Sequence, residues 1–312
     1  MFKIVKRILF IFSLVLLSIT LFSQSIPTVS KGSIVRIDHL SSKYVDKRIV
    51  DVWLPDGYNK NKKYAVLYMQ DGQMLYDSII TWNKKAWNIN YKIANLIAEN
   101  KIKDVIVVGI WNGDKKRHAE YFPQKPFESL SAVQKNKIFE AVRTNNASVF
   151  NNQAIYSDNY LKYIVQELKP YIDLQFSTYT DANNTFIGGS SMGGLISMYA
   201  ICEYPAIFGG AICMSTHWPG IFEMENNPIP DAFLNYLKTN LPNPKNHKLY
   251  FDCGNQTLDA LYPPLQNKVD AVMRIKGFTE KNWMTKYFIN QDHSEPSWSS
   301  RIDIPLTFLL HQ

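Results

Sequence analysis

The sequence predicts an α/β protein on one mostly parallel sheet of about eight strands, with helices on both faces. Two patterns carry this expectation. Continuous apolar runs of strand length, such as residues 64–69 (YAVLYM) and 104–110 (DVIVVGI), suit strands buried on both faces. Between such runs lie segments with apolar residues at helical spacing, and strands alternating with helices build parallel sheets with covered faces. A third observation sets the scale. The chain has 312 residues, 46% hydrophobic and 20% charged, with 14 Gly and 15 Pro. That is ample for a sizeable core and excludes disordered, collagen-like and low-complexity chains.

Taken in order, residues 33–39 and 48–54 alternate around a polar turn, as an antiparallel hairpin does. The strand 64–69 follows. A helix is expected over 86–98, where Ile89, Ile93, Leu96 and Ile97 share one face. After strand 104–110 comes a long polar stretch, 112–156, of the kind that serves as a lid or binding loop, with one short helix near 135–143. Residues 158–169 place Leu161, Ile164, Val165 and Leu168 on one helical face, with Ser157 as the cap. Strand 185–188 leads to helix 193–203, in which Leu195, Met198, Tyr199 and Cys202 share a face. Further strands are expected at 210–214, 248–252 and 286–289, a helix at 265–276 and a last one from about 297. No repeat or linker divides the chain, so residues 25–312 read as one domain.

The N-terminus reads differently. Lys3, Lys6 and Arg7 precede an apolar run at 8–22, the pattern of an export signal. The run is short for a membrane span, which needs about 20 apolar residues. We expect residues 1–24 to be such a signal, and the mature chain to be exported with no stable membrane span. Those three basic residues are part of the 34 Lys+Arg, so 31 remain against 27 Asp+Glu, about +4 instead of +7. A balance that mild does not suggest a nucleic-acid partner. Cys202, Cys213 and Cys253 form no CxxC or zinc spacing. They read as buried hydrophobes, with one disulfide left open.

Chemistry concentrates at residues 189–193 (GSSMG). A G-x-S-x-G string between a strand and a helix turns sharply. The turn exposes the Ser191 hydroxyl and frees the Met192 N–H at a helix start, where it can stabilise an oxyanion. Of six histidines, His293 alone follows the last strand and precedes the last helix, the place for the base. The acid belongs after strand 248–252: Asp259 is preferred, and Asp252 stays open. The second oxyanion donor belongs in the loop after strand 64–69, at Gly72 or Gln73. Trp82, Trp87, Trp111, His217 and Trp218 fall near the same edge and are candidates for the walls of a substrate cleft.

Together these strings resemble the putative esterase family of α/β-hydrolases, with its enterochelin-esterase-like, feruloyl-esterase-like and esterase D-like members. The resemblance rests on YMQDGQMLYD (68–77), VVGIWN (107–112), RHAEY (117–121), LKPYID (168–173), GGSSMGGLIS (188–197) and HSEPSW (293–298). It implies an α/β-hydrolase fold, Ser191 as nucleophile, His293 as base, and hydrolysis of a carbohydrate-linked, aryl or siderophore ester through an acyl-enzyme. No metal or organic cofactor is implied. An acyltransferase with the same triad, or an inactive binding protein of this fold, would share these residues. The segment nearest the glycine of the acid loop carries Gln256 and Thr257 where the family often has an acidic residue, which keeps Asp252 in play.

Overall fold

The computed structural model describes residues 24–311. Apart from Gln24, the expected export signal lies outside the described residues. Eight strands form a single sheet: β1 (Ser33–Ile37), β2 (Val50–Leu54), β3 (Ala65–Met69), β4 (Val105–Ile110), β5 (Thr185–Ser190), β6 (Gly210–Met214), β7 (Lys248–Cys253) and β8 (Trp283–Tyr287). Their spatial order is β1-β2-β4-β3-β5-β6-β7-β8. The leading hairpin is antiparallel and joins β4 antiparallel; β4 through β8 with β3 are parallel. This is the α/β-hydrolase architecture expected from the sequence.

The apolar runs are continuous because both sheet faces are covered. In β3, Val66 and Tyr68 join one core, and Ala65, Leu67 and Met69 join the other. Successive side chains of a strand point to opposite faces, so neither face can be polar. Helices cover both faces: α1 (Ile89–Ala98), α2 (Arg117–Tyr121), α3 (Gln124–Glu128), α4 (Ala132–Phe139), α5 (Ser157–Lys162), α6 (Lys169–Gln175), α7 (Met192–Glu203), α8 (Ile229–Asn240), α9 (Pro263–Ile275), α10 (Glu295–Arg301) and α11 (Asp303–Leu310). No described helix is long and apolar enough to cross a membrane.

Several expectations need correction. Ser157 does not cap the helix after it: it is its first residue, and its hydroxyl accepts from the Gln124 N–H at 3.0 Å. That helix continues through a π-helical stretch, Tyr163–Leu168, into α6. The last strand begins at Trp283, not near 286. Ile289, which drew the expectation C-terminal, is 77% exposed in the following turn. α7 has no single apolar face, because all but its last residue are buried. α8 was not expected at all. The stretch 112–156 is no open loop: α2, α3 and α4 lie in it, and Tyr121, Phe122, Phe127 and Phe150 are buried in the core. The three cysteines are free and buried.

Candidate active site

The ends of β5, β6 and β7 are in register: Ser190 pairs with Met214, and Met214 with Asp252. The residues just beyond them therefore meet at the carboxyl edge of the sheet, where α/β folds bind ligands. Ser191 leaves β5 in a left-handed conformation, φ 57° and ψ −124°, a strain of about 1–3 kcal/mol for a side-chain-bearing residue. Backbone bonds hold it there. The Ser191 N–H donates to Met214 O at 2.9 Å, and its carbonyl accepts from the His217 N–H at 3.2 Å. The flanking glycines are required by contact: a Cβ on Gly189 would lie 2.9 Å from the Gly193 backbone and from Gln70 Cβ.

Met192 is the first residue of α7, so its N–H has no intrahelical partner. Asp71, with φ 55°, opens a 3-10 turn at Gly72–Met74. The N–H groups of Gly72 and Gln73 stand at the start of that turn, which packs against the elbow: a Cβ on Gly193 would lie 3.2 Å from Asp71 Oδ2. Gly72 itself is pressed onto β4, where a Cβ would lie 2.4 Å from Gly109 C.

Between the two carboxylates the geometry discriminates. His293, in the turn between β8 and α10, has its Nδ1 2.6 Å from Asp259 Oδ1. The other oxygen of Asp259 accepts from the Ser215 hydroxyl and from the Gly254 N–H, both at 2.6 Å. Burial alone would push the Asp259 carboxyl up. The hydrogen bond and charge of His293, with the Ser215 and Gly254 donors, outweigh it and hold the group below its ordinary 3.8. Asp252 instead receives Arg301 through Nε at 3.1 Å and a terminal nitrogen at 3.0 Å, and the Tyr250 hydroxyl at 3.0 Å. Its burial raises its pKa despite that pairing. Ser215 links the two groups. Its oxygen accepts from Trp298 Nε1 at 3.0 Å and Arg301 at 2.9 Å, which leaves its one proton for Asp259.

Ser191 and His293 border one cleft of about 390 Å³, together with Asp71, Met74, Trp82, Trp87, Asn112, Asp114, Arg117, Arg143 and Trp298 among others. Of the expected wall residues, Trp82 and Trp87 line it. Trp82 is 84% exposed; Trp87 is buried and packs on Trp298, ring centroids 5.6 Å apart. Trp111 and Trp218 do not line it. Trp111 bonds Asp51 through Nε1 at 2.9 Å, and Trp218 bonds Gln266 at 2.9 Å while packing on Phe251. Each indole N–H has found a buried carboxylate or amide, Trp111 itself staying half-buried and Trp218 being buried, a partner that a position near a strand end does not reveal. His217 also lies behind the cleft surface, 1% exposed, with Nδ1 2.8 Å from the Tyr262 hydroxyl. Burial drives its pKa far down, so it is neutral.

Within RHAEY the polar side chains reach separate elements. Arg117 forks onto Asp71 at 2.6 and 2.8 Å, the His118 ring meets Gly220 O at 2.8 Å, and Glu120 forks onto Arg48 at 2.7 and 2.9 Å. Three of its residues thus tie α2 to the strand-end loop, the β6–α8 connection and the leading hairpin. Four charged or titratable residues within five positions are the signal that could mark them. Tyr262, whose ring lies edge-on to His293 at 5.8 Å, carried no such signal.

Known proteins share this fold. The chain is 27% identical over 207 residues to an endo-1,4-beta-xylanase/feruloyl esterase of Xylanibacter ruminicola, a match covering 61% of this chain and 23% of that one. The chain spans less than two thirds of the length of the curated relatives it matches. Among solved structures, a ferulic acid esterase superposes with a TM-score of 0.62 at 18% identity, covering 90% of this chain and 98% of the other. An enterobactin esterase from Shigella flexneri gives 0.63 at 15% identity, covering 91% and 60%. These likenesses show a shared fold. A family model described as "Putative esterase" matches residues 41–303. The chain belongs to that esterase family.

Proposed function

We propose that this protein is an exported serine esterase that hydrolyses carboxylic esters through an acyl-enzyme. The observation that carries the reading is the pairing of His293 with Asp259 at 2.6 Å, at the cleft into which the strained Ser191 elbow opens. Asp259 orients the imidazole and supports the imidazolium. His293 takes the Ser191 proton as the hydroxyl attacks the ester carbonyl, and returns it to the leaving alcohol. Water, activated by the same base, then releases the acid. Backbone N–H groups of Met192 and of Gly72 or Gln73 receive the developing oxyanion. The exposed Trp82 and the Trp87–Trp298 pair give flat apolar surface, which suits an aryl group or a sugar ring. The names of the relatives support the same substrate classes.

Replacing Ser191 with Ala should lower hydrolysis of a short para-nitrophenyl ester by about four to six powers of ten. A fluorophosphonate probe should label the native chain and not that variant. Near-wild-type turnover in the variant overturns the reading.

A further inference from the structure

The cleft has two unlike walls. One is aromatic, formed by Trp82, Trp87 and Trp298 beside His293. The other is cationic, formed by Arg117 and Arg143. Arg117 is charge-paired by its fork onto Asp71 through Nε and one terminal nitrogen. Arg143 is not: among the described residues its half-buried guanidinium has neither an ion pair nor a hydrogen bond.

The side chain is nonetheless placed. The Arg143 N–H donates to Ala147 O at 2.8 Å, its carbonyl accepts from the Asn146 N–H at 2.9 Å, and Val142 bridges Ser148 across the turn. The guanidinium lies over the Phe222 ring, 5.3 Å from its centroid. On Phe222 also packs His217, at 5.4 Å, whose buried Nε2 has no hydrogen-bond partner among the described residues. Burial and the neighbouring Arg117 both disfavour the Arg143 charge, so an anion arriving here would relieve a standing cost. The cleft's own carboxylates do not supply it. Asp71 is taken by Arg117 and Asn112, Glu295 is bonded by Asn83 beside the aromatic wall, and Asp114 lies beyond ion-pair reach of Arg143.

We propose that Arg143 is a specificity residue that recognises a carboxylate on the substrate, so that the preferred ester carries a fixed negative charge in its acyl or its alcohol part. A planar guanidinium with five donors is suited to a carboxylate in a way a lysine is not. The proposal rests on the esterase reading and names the substrate class of that same cleft.

Two matched pairs of esters test it and separate the two sources of the charge. para-Nitrophenyl hydrogen adipate against para-nitrophenyl hexanoate places the anion in the acyl part. para-Acetoxybenzoate against para-acetoxybenzamide places it in the alcohol. With each rate normalised to that of hydroxide, kcat/KM should favour the anionic member of at least one pair by about tenfold or more. In Arg143→Gln that ratio should fall to about one, and in Arg143→Lys it should survive in part. A ratio within one variant does not depend on how much of it folds. No preference in either pair, or a preference unchanged in Arg143→Gln, overturns the inference and leaves the esterase reading standing. If no ester is turned over, the esterase reading fails instead, and binding decides the inference. Quenching of tryptophan fluorescence by the mono-para-nitroanilide of adipic acid should then exceed that by hexanoyl para-nitroanilide, with about tenfold tighter binding that Arg143→Gln abolishes. Equal binding of the two anilides overturns it.

Discussion

Asp252, near the end of β7, and Asp259, just past it, are both fully buried and both lie close to Arg301, yet their surroundings differ. Asp252 is held from three directions by Arg301, Tyr250 and the Ser215 N–H, with no oxygen turned to the cleft. Asp259 stands past the Gly254 bend, far enough along the chain to turn back, and gives one oxygen to His293. The lesson is geometric. A carboxylate still within a strand points where the pleat sends it, while one in the following turn can be aimed. Ser215 ties the pair into one network, so the buried Arg301–Asp252 ion pair acts as the footing on which the Asp259–His293 pair stands.

The sharpest way to break this contrast is Asp259→Asn. It keeps the shape but reverses the hydrogen bond to Nδ1, so kcat should drop by about three to four powers of ten, with the melting temperature nearly unchanged. Asp252→Asn should do the reverse. Leaving the buried Arg301 without its hydrogen-bonded counter-charge, with only Asp259 at 3.8 Å remaining, costs about 3 kcal/mol of stability, read by urea unfolding, while turnover per folded molecule falls by no more than about tenfold. Equal loss of turnover in the two variants would erase the distinction. The smallest effect is on acid stability, roughly 1 kcal/mol per unit of pKa shift. The Asp259 value is lowered, so its contribution is present above the ordinary 3.8 and is lost as pH falls through its lower folded value. The Asp252 value is raised, so acidification through its folded value favours the native state. Asp252→Asn should therefore steepen the loss of stability between about pH 5 and pH 3, and Asp259→Asn should flatten it.

Much of this arrangement is legible in the sequence because it is local. The elbow needs small residues at Gly189 and Gly193, and those contacts are a property of the turn itself. The long apolar runs of β3 and β4 state that both faces are covered. What the sequence does not state is set by distant partners. Trp111 and Trp218 look like cleft walls until Asp51 and Gln266, far along the chain, take their indole N–H groups. The short helices α2, α3 and α4 have little pattern of their own, because they are held by burying Phe122 and Phe127 against neighbouring elements, including Phe233 of α8. Tyr262 became relevant only when the fold brought it beside His217 and His293.

The three cysteines have a consequence of another kind. Cys202, Cys213 and Cys253 are all buried and unpaired, and burial raises each thiol above its ordinary range. Oxidants and alkylating reagents act on exposed thiolates, which the folded chain does not offer. Thiol reactivity therefore reports opening of the fold, and the chain can meet an oxidising solution without cross-linking to its neighbours.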